Sequence, residues 1–451
     1  MRQLLEDAAR CAILYLEGLA ERGVAPTAEA LERLTALQEK LPDEPVSDST
    51  TLALLEDIAS PATVANAGGR FFGFVNGGSL PVAVAADWLA TAWDQNATRY
   101  VASPAASVLE EIALRWLLDL LRLPPDAAGA FVTGATMANF TALAAARHAV
   151  LERVGWRVES DGLFGAPSIT VVVGEEAHPS VFKALGLLGL GRDRVHRVPV
   201  DAQGRMRAEL IPALTAPAIV CVQAGNVNTG AFDPIADVVA RMHDSGAWVH
   251  VDGAFGLWAA ASPALAHLLA GVDRADSWAT DAHKWLNVPY DSGLAFVRDA
   301  EALRSAMAVS ADYLPASAGH REPSDYTPEL SRRARGVAVW AALRTLGRSG
   351  IAEMVERCCR HARRFAQALR EDGIAVLNEV VLNQVLVDFG DARTTMRVVD
   401  GLQADGTCWC GPTRWQGRTA MRISVSSWAT TEEDVEQSVA TIRRIARASR
   451  A

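Results

Sequence analysis

The chain of 451 residues is too long for one small core; half of it is hydrophobic and 21% charged, an ordinary balance for a soluble protein of two or three lobes. Its formal net charge of −10, with no basic block, argues against a nucleic-acid partner, whose phosphates need Lys and Arg to neutralise them. The most apolar stretch, LPVAVAADWLATAW, is broken by Asp87 and too short to cross a bilayer, and no cleavage pattern follows the N-terminus, so no membrane association and a cytoplasmic enzyme are expected.

In chain order, Leu4, Ala8, Cys11, Tyr15 and Leu19 fall on one face at helical spacing, which predicts an amphipathic N-terminal helix. An apolar face ahead of the main core must cover something, either its own chain or a partner subunit. From residue 105 onward, helical patterns alternate with short β-branched runs. SVLEEIALRWLLDLL and TMANFTALAAARHAVL have helical spacing, whereas GAFVTG, SITVVVG, AIVCVQAG and AWVHVDG read as strands. Runs apolar on both faces suit a parallel sheet covered by helices, with its ligand at the strands' C-terminal ends.

Further on, SWATDAHKWLNVPYDSG reads as a buried, Trp-flanked turn, and SADYLPASAGHREPSDY has the composition of a mobile loop. Near residue 336 two long helices begin, GVAVWAALRTLG and IAEMVERCCRHARRFAQAL, followed by strands and a last helix that Thr430 and Glu433 would cap as a box. Three segments are expected: an N-terminal helical segment over 1–65, a large α/β domain over 66–335 and a smaller α+β domain over 336–451. The six cysteines, Cys358-Cys359 and Cys408/Cys410 among them, lack zinc spacing, so reduced thiols and no metal site are expected.

Four strand ends carry chemistry. FVTGATMANF passes from strand to helix at Gly134-Ala135-Thr136, where free N–H groups and the helix dipole attract a phosphate and Thr136 adds a hydroxyl. His178 follows SITVVVG, Asp252 ends AWVHVD, and Lys284 sits in DAHKW. Each has a plain reading alone: an N-cap, a surface imidazole, an Asx turn, a lysine reaching past Trp285 to solvent. Together, in this order, they are the parts that hold pyridoxal 5′-phosphate. The helix N-terminus takes the phosphate, and His178 stacks on one ring face with Ala254 against the other. Asp252 keeps the ring nitrogen protonated, and Lys284 closes the Schiff base. An apolar setting suits such a lysine, because only the neutral amine attacks a carbonyl.

On these motifs, with RFFGFVNGG, YVASPAASVLEE, VTGATMAN, AHPSV, AGNVNTGAFDP, HVDGAFG and MRISVSSWATTEED, the chain resembles the pyridoxal-phosphate-dependent group II amino acid decarboxylases. The resemblance runs from about residue 70 to 435 and implies the aspartate aminotransferase fold (fold type I). That fold is α/β, a mostly parallel seven-stranded sheet with helices on both faces, plus a smaller C-terminal α+β domain. It also implies Ala135 and Thr136 as the phosphate pair, His283 as a further phosphate contact, and a homodimer whose N-terminal segment packs on the partner. Tyr313, followed by Leu, matches a loop tyrosine that returns a proton to the α-carbon after carbon dioxide leaves; Tyr326 is the rival donor.

Two positions depart from the family pattern. Asn226-Val227 stands where many members have Thr-Thr, and Asp281 where many have an Asn that helps hold the phosphate. The expected reaction is decarboxylation of an L-amino acid to an amine. An aminotransferase, with Arg422 gripping the substrate carboxylate, an aldehyde-forming relative on the same fold and a non-catalytic cofactor carrier are the alternatives. Phe72, Phe74 and Trp93 are candidates for the wall of an aromatic or apolar substrate pocket.

Overall fold

The computed structural model describes residues 1–309 and 319–450. They fall into two compact units: residues 79–360 with 378–384, and residues 1–78 with 361–377 and 385–451. In the sequence, one border between them lies inside the helix Gly336–Glu371.

The larger unit is built on seven strands: β1 (Ala128–Val132), β2 (Thr170–Gly174), β3 (His196–Val198), β4 (Ala218–Gln223), β5 (Trp248–Asp252), β6 (Ser277–Asp281) and β7 (Gly293–Val297). Their order is β1-β7-β6-β5-β4-β2-β3. β7 runs antiparallel to both neighbours, and the remaining pairs are parallel. β4 to β7 are buried at every residue, which is why such strands read as continuous rather than alternating apolar runs.

The helix Ala135–Glu152 lies on this sheet through Ala138, Ala142, Ala145 and Ala149, whose small side chains permit close approach. Leu143, Val150, Val173, Leu185, Ile219 and Leu303 share its core cluster, each worth about 1.5–3 kcal/mol on burial.

The smaller unit contains β8 (Ala375–Val376), β9 (Gln384–Asp388) from its second residue on, β10 (Gly411–Trp415) and β11 (Arg418–Ser424), in the order β10-β11-β9-β8. Its N-terminal helix Arg2–Glu17 half-buries the expected face, and the Tyr15 hydroxyl is 2.9 Å from Thr63 Oγ1. The same helix leaves Leu5 and Leu14 exposed, at 61% and 55%.

Two expectations are corrected, and one between them holds. SWATD is not turn but the strand β6, whose Ala and Trp are buried by pairing with β5 and β7 rather than marked by β-branched residues. The two long helices stand as expected: Gly347, with a φ of 59°, breaks the helical backbone between them within Gly336–Glu371. The capping box of the last helix is Thr431 with Asp434, one residue on: Asp434 N donates to Thr431 Oγ1 at 3.1 Å, and Thr431 N to Asp434 Oδ2 at 2.9 Å. Thr430 instead donates its hydroxyl to Gly69 O.

Candidate active site

Sheet register decides which residues meet. Gln223 pairs with Asp252, and Asp252 with Ala279, so β4, β5 and β6 all end at one edge of the sheet. Gly293 of β7 pairs with both Val132 and Asp281, which brings the end of β1 level with the end of β6. A Cβ on Gly293 would overlap the backbone of Gly134, so glycine here lets the start of the helix Ala135–Glu152 close on β6.

The result is a contact sequence alone does not reveal: Ala135 N donates to Asp281 Oδ1 at 2.5 Å. Lys284 stands on the one-turn helix Ala282–Trp285, with Nζ 3.2 Å from Asp281 Oδ2. His283 Nε2 lies 3.5 Å from Asp281 Oδ1. Ser292 N donates to His283 Nδ1 at 3.2 Å, so the proton of a neutral His283 sits on Nε2, facing the carboxylate. Tyr290 stacks on His283 at 4.2 Å between centroids. Burial lowers the pKa of His283.

Asp252 is held from three sides. Ala254 N donates to Oδ1 at 3.2 Å, Asn139 Nδ2 to Oδ2 at 3.1 Å, and Ser180 Oγ approaches Oδ2 at 3.5 Å. Ser180 Oγ is in turn 2.8 Å from His178 Nδ1. His178 caps the helix Pro179–Leu187, accepting from Ser180 N at 3.3 Å. Asp281 N donates to Ala254 O at 2.9 Å. Hydrogen bonds link His178, Asp252, Ala254, Asp281 and Ala135, and Lys284 and His283 lie within 3.2 and 3.5 Å of the Asp281 carboxylate; Thr136 follows on the first turn of its helix.

Sequence reasoning missed Asn139 and Ser180. Both left a signal: Asn139 is a polar residue on the alanine face of its helix, one turn after Ala135, and Ser180 lies two residues after His178.

The other expected residues have surroundings of their own. Phe72 is core, edge-on to Phe365 at 5.0 Å between centroids, and Phe74 and Trp93 are exposed at 61% and 44%. Asn226 shapes its own loop: Oδ1 accepts from Asn228 N and Thr229 N, while Nδ2 donates to Glu176 at 3.0 Å. Arg422 lies on β11 in the smaller unit, where burial lowers its pKa to about 10. Tyr326 packs against the core under the Arg321 guanidinium, 4.1 Å from its ring centroid. Tyr313 lies outside the described residues.

An amine, a carboxylate held by N–H donors, an imidazole and a helix N-terminus form a donor set that fits pyridoxal phosphate. The amine can condense with its aldehyde, the carboxylate can take the ring N–H, and the helix N-terminus can take the phosphate. Asp281 opposes a phosphate, and the Lys284 amine 3.2 Å away offsets its charge.

The profile described as the pyridoxal-dependent decarboxylase conserved domain matches residues 32–389. The chain is 30% identical to tryptophan decarboxylase 1 of Oryza sativa subsp. japonica, over 90% of this chain and 87% of that one. It is 29% identical to 4-hydroxyphenylacetaldehyde synthase of Rhodiola rosea, over 60% of this chain and 57% of that one. The crystal structure of Oryza sativa TDC with PLP and tryptamine superposes with a TM-score of 0.90 at 25% identity, covering 99% of this chain and 97% of that one.

Proposed function

Because the chain belongs to the pyridoxal-dependent decarboxylases, carboxy-lyases that use pyridoxal 5′-phosphate, we propose that it acts on an aromatic L-amino acid and releases the amine. The observation that carries this reading is the register of β5 and β6, which brings Asp252 and the turn bearing Lys284 to one sheet edge. The relatives named for tryptophan and for a hydroxyphenyl product support an aromatic substrate. When bound, the cofactor draws off the electron pair left at the α-carbon as carbon dioxide departs.

The chain's own residues have the following tasks in this reading. Lys284 carries the cofactor, and Asp252 keeps the proton on its ring nitrogen. His178 and Ala254 lie against the ring's two faces. Ala135, Thr136 and His283 hold the phosphate, and Tyr313 returns a proton to the α-carbon. A screen of the twenty amino acids for carbon dioxide and amine release tests the proposal, and exclusive turnover of a small polar amino acid would refute the aromatic assignment.

A second reading, an aldehyde as product, is favoured by the likeness to 4-hydroxyphenylacetaldehyde synthase. Product analysis separates amine from aldehyde. The working form in this proposal is a cytoplasmic homodimer, with Leu5, Ile13 and Leu14 of the N-terminal helix covered by the partner. An active monomer in sedimentation at micromolar concentration would exclude the dimer.

A further inference from the structure

Behind Asp252 runs a line of buried polar side chains that the reaction as described does not use. His250, two residues before Asp252 on β5, projects from the same strand face. His250 Nε2 lies 2.8 Å from Asn139 Oδ1, and His250 Nδ1 lies 2.9 Å from Ser277 Oγ. Trp248 Nε1 donates to Ser277 Oγ at 2.8 Å. Trp248, Ser277, His250, Asn139 and Asp252 are all buried.

The direction of every link follows from the two ends. An indole N–H only donates, so Ser277 accepts from Trp248 and has its own hydrogen to give. At the other end the Asn139 amide nitrogen faces Asp252 and Ser180; turned over, it would set an oxygen against a carboxylate. Asn139 Oδ1 therefore faces His250 and can only accept, so the imidazole hydrogen sits on Nε2. Nδ1 is then bare and takes the Ser277 hydrogen. Burial lowers the pKa of His250 to about 4, in keeping with this single-hydrogen form.

We infer that Asn139 and His250 are positioning residues that hold Asp252 as a permanent acceptor, through the directed chain Trp248–Ser277–His250–Asn139. Each link delivers a hydrogen toward Asp252 and none can remove one from it. The carboxylate is kept ionised and oriented, with lone-pair capacity left for the ring N–H of the cofactor. The inference rests on Asp252 being the partner of that nitrogen.

The charged and titratable groups around Asp252 come from several elements. They are His250 on β5, Cys221 on β4, His178 through Ser180, Asp281 at the end of β6 and Lys284 just after it; the facing helix contributes the uncharged Asn139.

The test compares Asn139→Leu, His250→Phe, His250→Gln and Ser277→Ala holoenzymes with Asp252→Asn. The readouts are kcat, KM and the pH dependence of the visible cofactor absorbance, with folding checked by circular dichroism. Loss of a hydrogen bond to a charged group should lower kcat about ten- to a hundredfold in Asn139→Leu and His250→Phe, with KM nearly unchanged. The acid limb of the absorbance titration should move to higher pH in both, because an unsupported carboxylate takes up a proton more readily. His250→Gln, which restores an N–H toward Asn139, should recover most of the loss. If Asn139→Leu fails to fold, Ser277→Ala carries the test, since it frees the His250 tautomer without emptying the helix contact. Unchanged titrations in the folded variants, beside an altered Asp252→Asn, would overturn the relay. An unaltered Asp252→Asn would instead refute the role of Asp252.

Discussion

Asp281 Oδ2 lies 3.2 Å from Lys284 Nζ, with only 3% of the Asp281 side chain exposed. The pair are three residues apart, either side of the step from β6 into its one-turn helix. The same carboxylate accepts from Ala135 N, so a negative charge occupies the helix N-terminus where the phosphate is expected. Two like charges at contact distance repel by several kcal/mol at a partly buried site, unless a third charge or a proton intervenes.

Asp281→Asn should therefore bind pyridoxal phosphate about tenfold or more tightly, while affinity for phosphate-free pyridoxal stays within about twofold. The contrast should grow above pH ~6, where a phosphate monoester takes its second charge. Quenching of tryptophan fluorescence gives both dissociation constants. Equal affinities in the two proteins would show that Asp281 turns away from the phosphate.

Lys284→Ala should lose the visible cofactor band and leave borohydride nothing to fix. In the wild-type protein, reduction followed by peptide mass spectrometry should find the adduct on Lys284. An active preparation with Lys284 unmodified would remove it from the mechanism.

Tyr313→Phe should keep cofactor binding and carbon dioxide release. Without the phenol's proton, amine yield should fall and aldehyde or transaminated by-products rise. Chromatography of the products decides: an undiminished amine yield assigns the proton to another group.

His250 links stability to pH. Burial holds its pKa near 4, below the ordinary 6.5, so between these values the unfolded chain binds a proton that the folded chain does not. Its contribution is fully present above pH 6.5 and is lost as pH falls toward 4, by up to about 1.4 kcal/mol per pH unit. Urea unfolding of wild type and His250→Gln at pH 7, 6 and 5 isolates this, because other titrating groups cancel in the difference. A difference constant with pH would mean that folding leaves the pKa of His250 unshifted.

Much of this protein was legible in one dimension. The strands ending near Gly134 and at Asp252 follow from apolar runs closed by glycine, and the half-buried face of the first helix follows from spacing alone. Periodicity reports how a residue is buried, because burial on one or both faces repeats along the element that carries it. The cofactor chemistry was legible for a related reason: Lys284, Asp252 and His178 each follow or end a strand, and a parallel sheet presents such ends together.

What the tertiary structure alone decided was partnership. Ala135 meets Asp281 across 146 positions, and Asn139 meets Asp252 across 113, because β7 inserts between β1 and β6 and the helix after β1 folds back over β5. No local pattern records strand order, so the strand SWATD passed for a turn, and an aspartate that seemed out of place proved to be the partner of the lysine. Likewise Phe72 and Phe74 are two residues apart, yet one is core and the other exposed: the φ of +52° at Phe74 breaks the alternation that would have put them on one face. Side-chain chemistry is local, but which groups share a site depends on strand order and backbone direction, and those are settled only when the sheet closes.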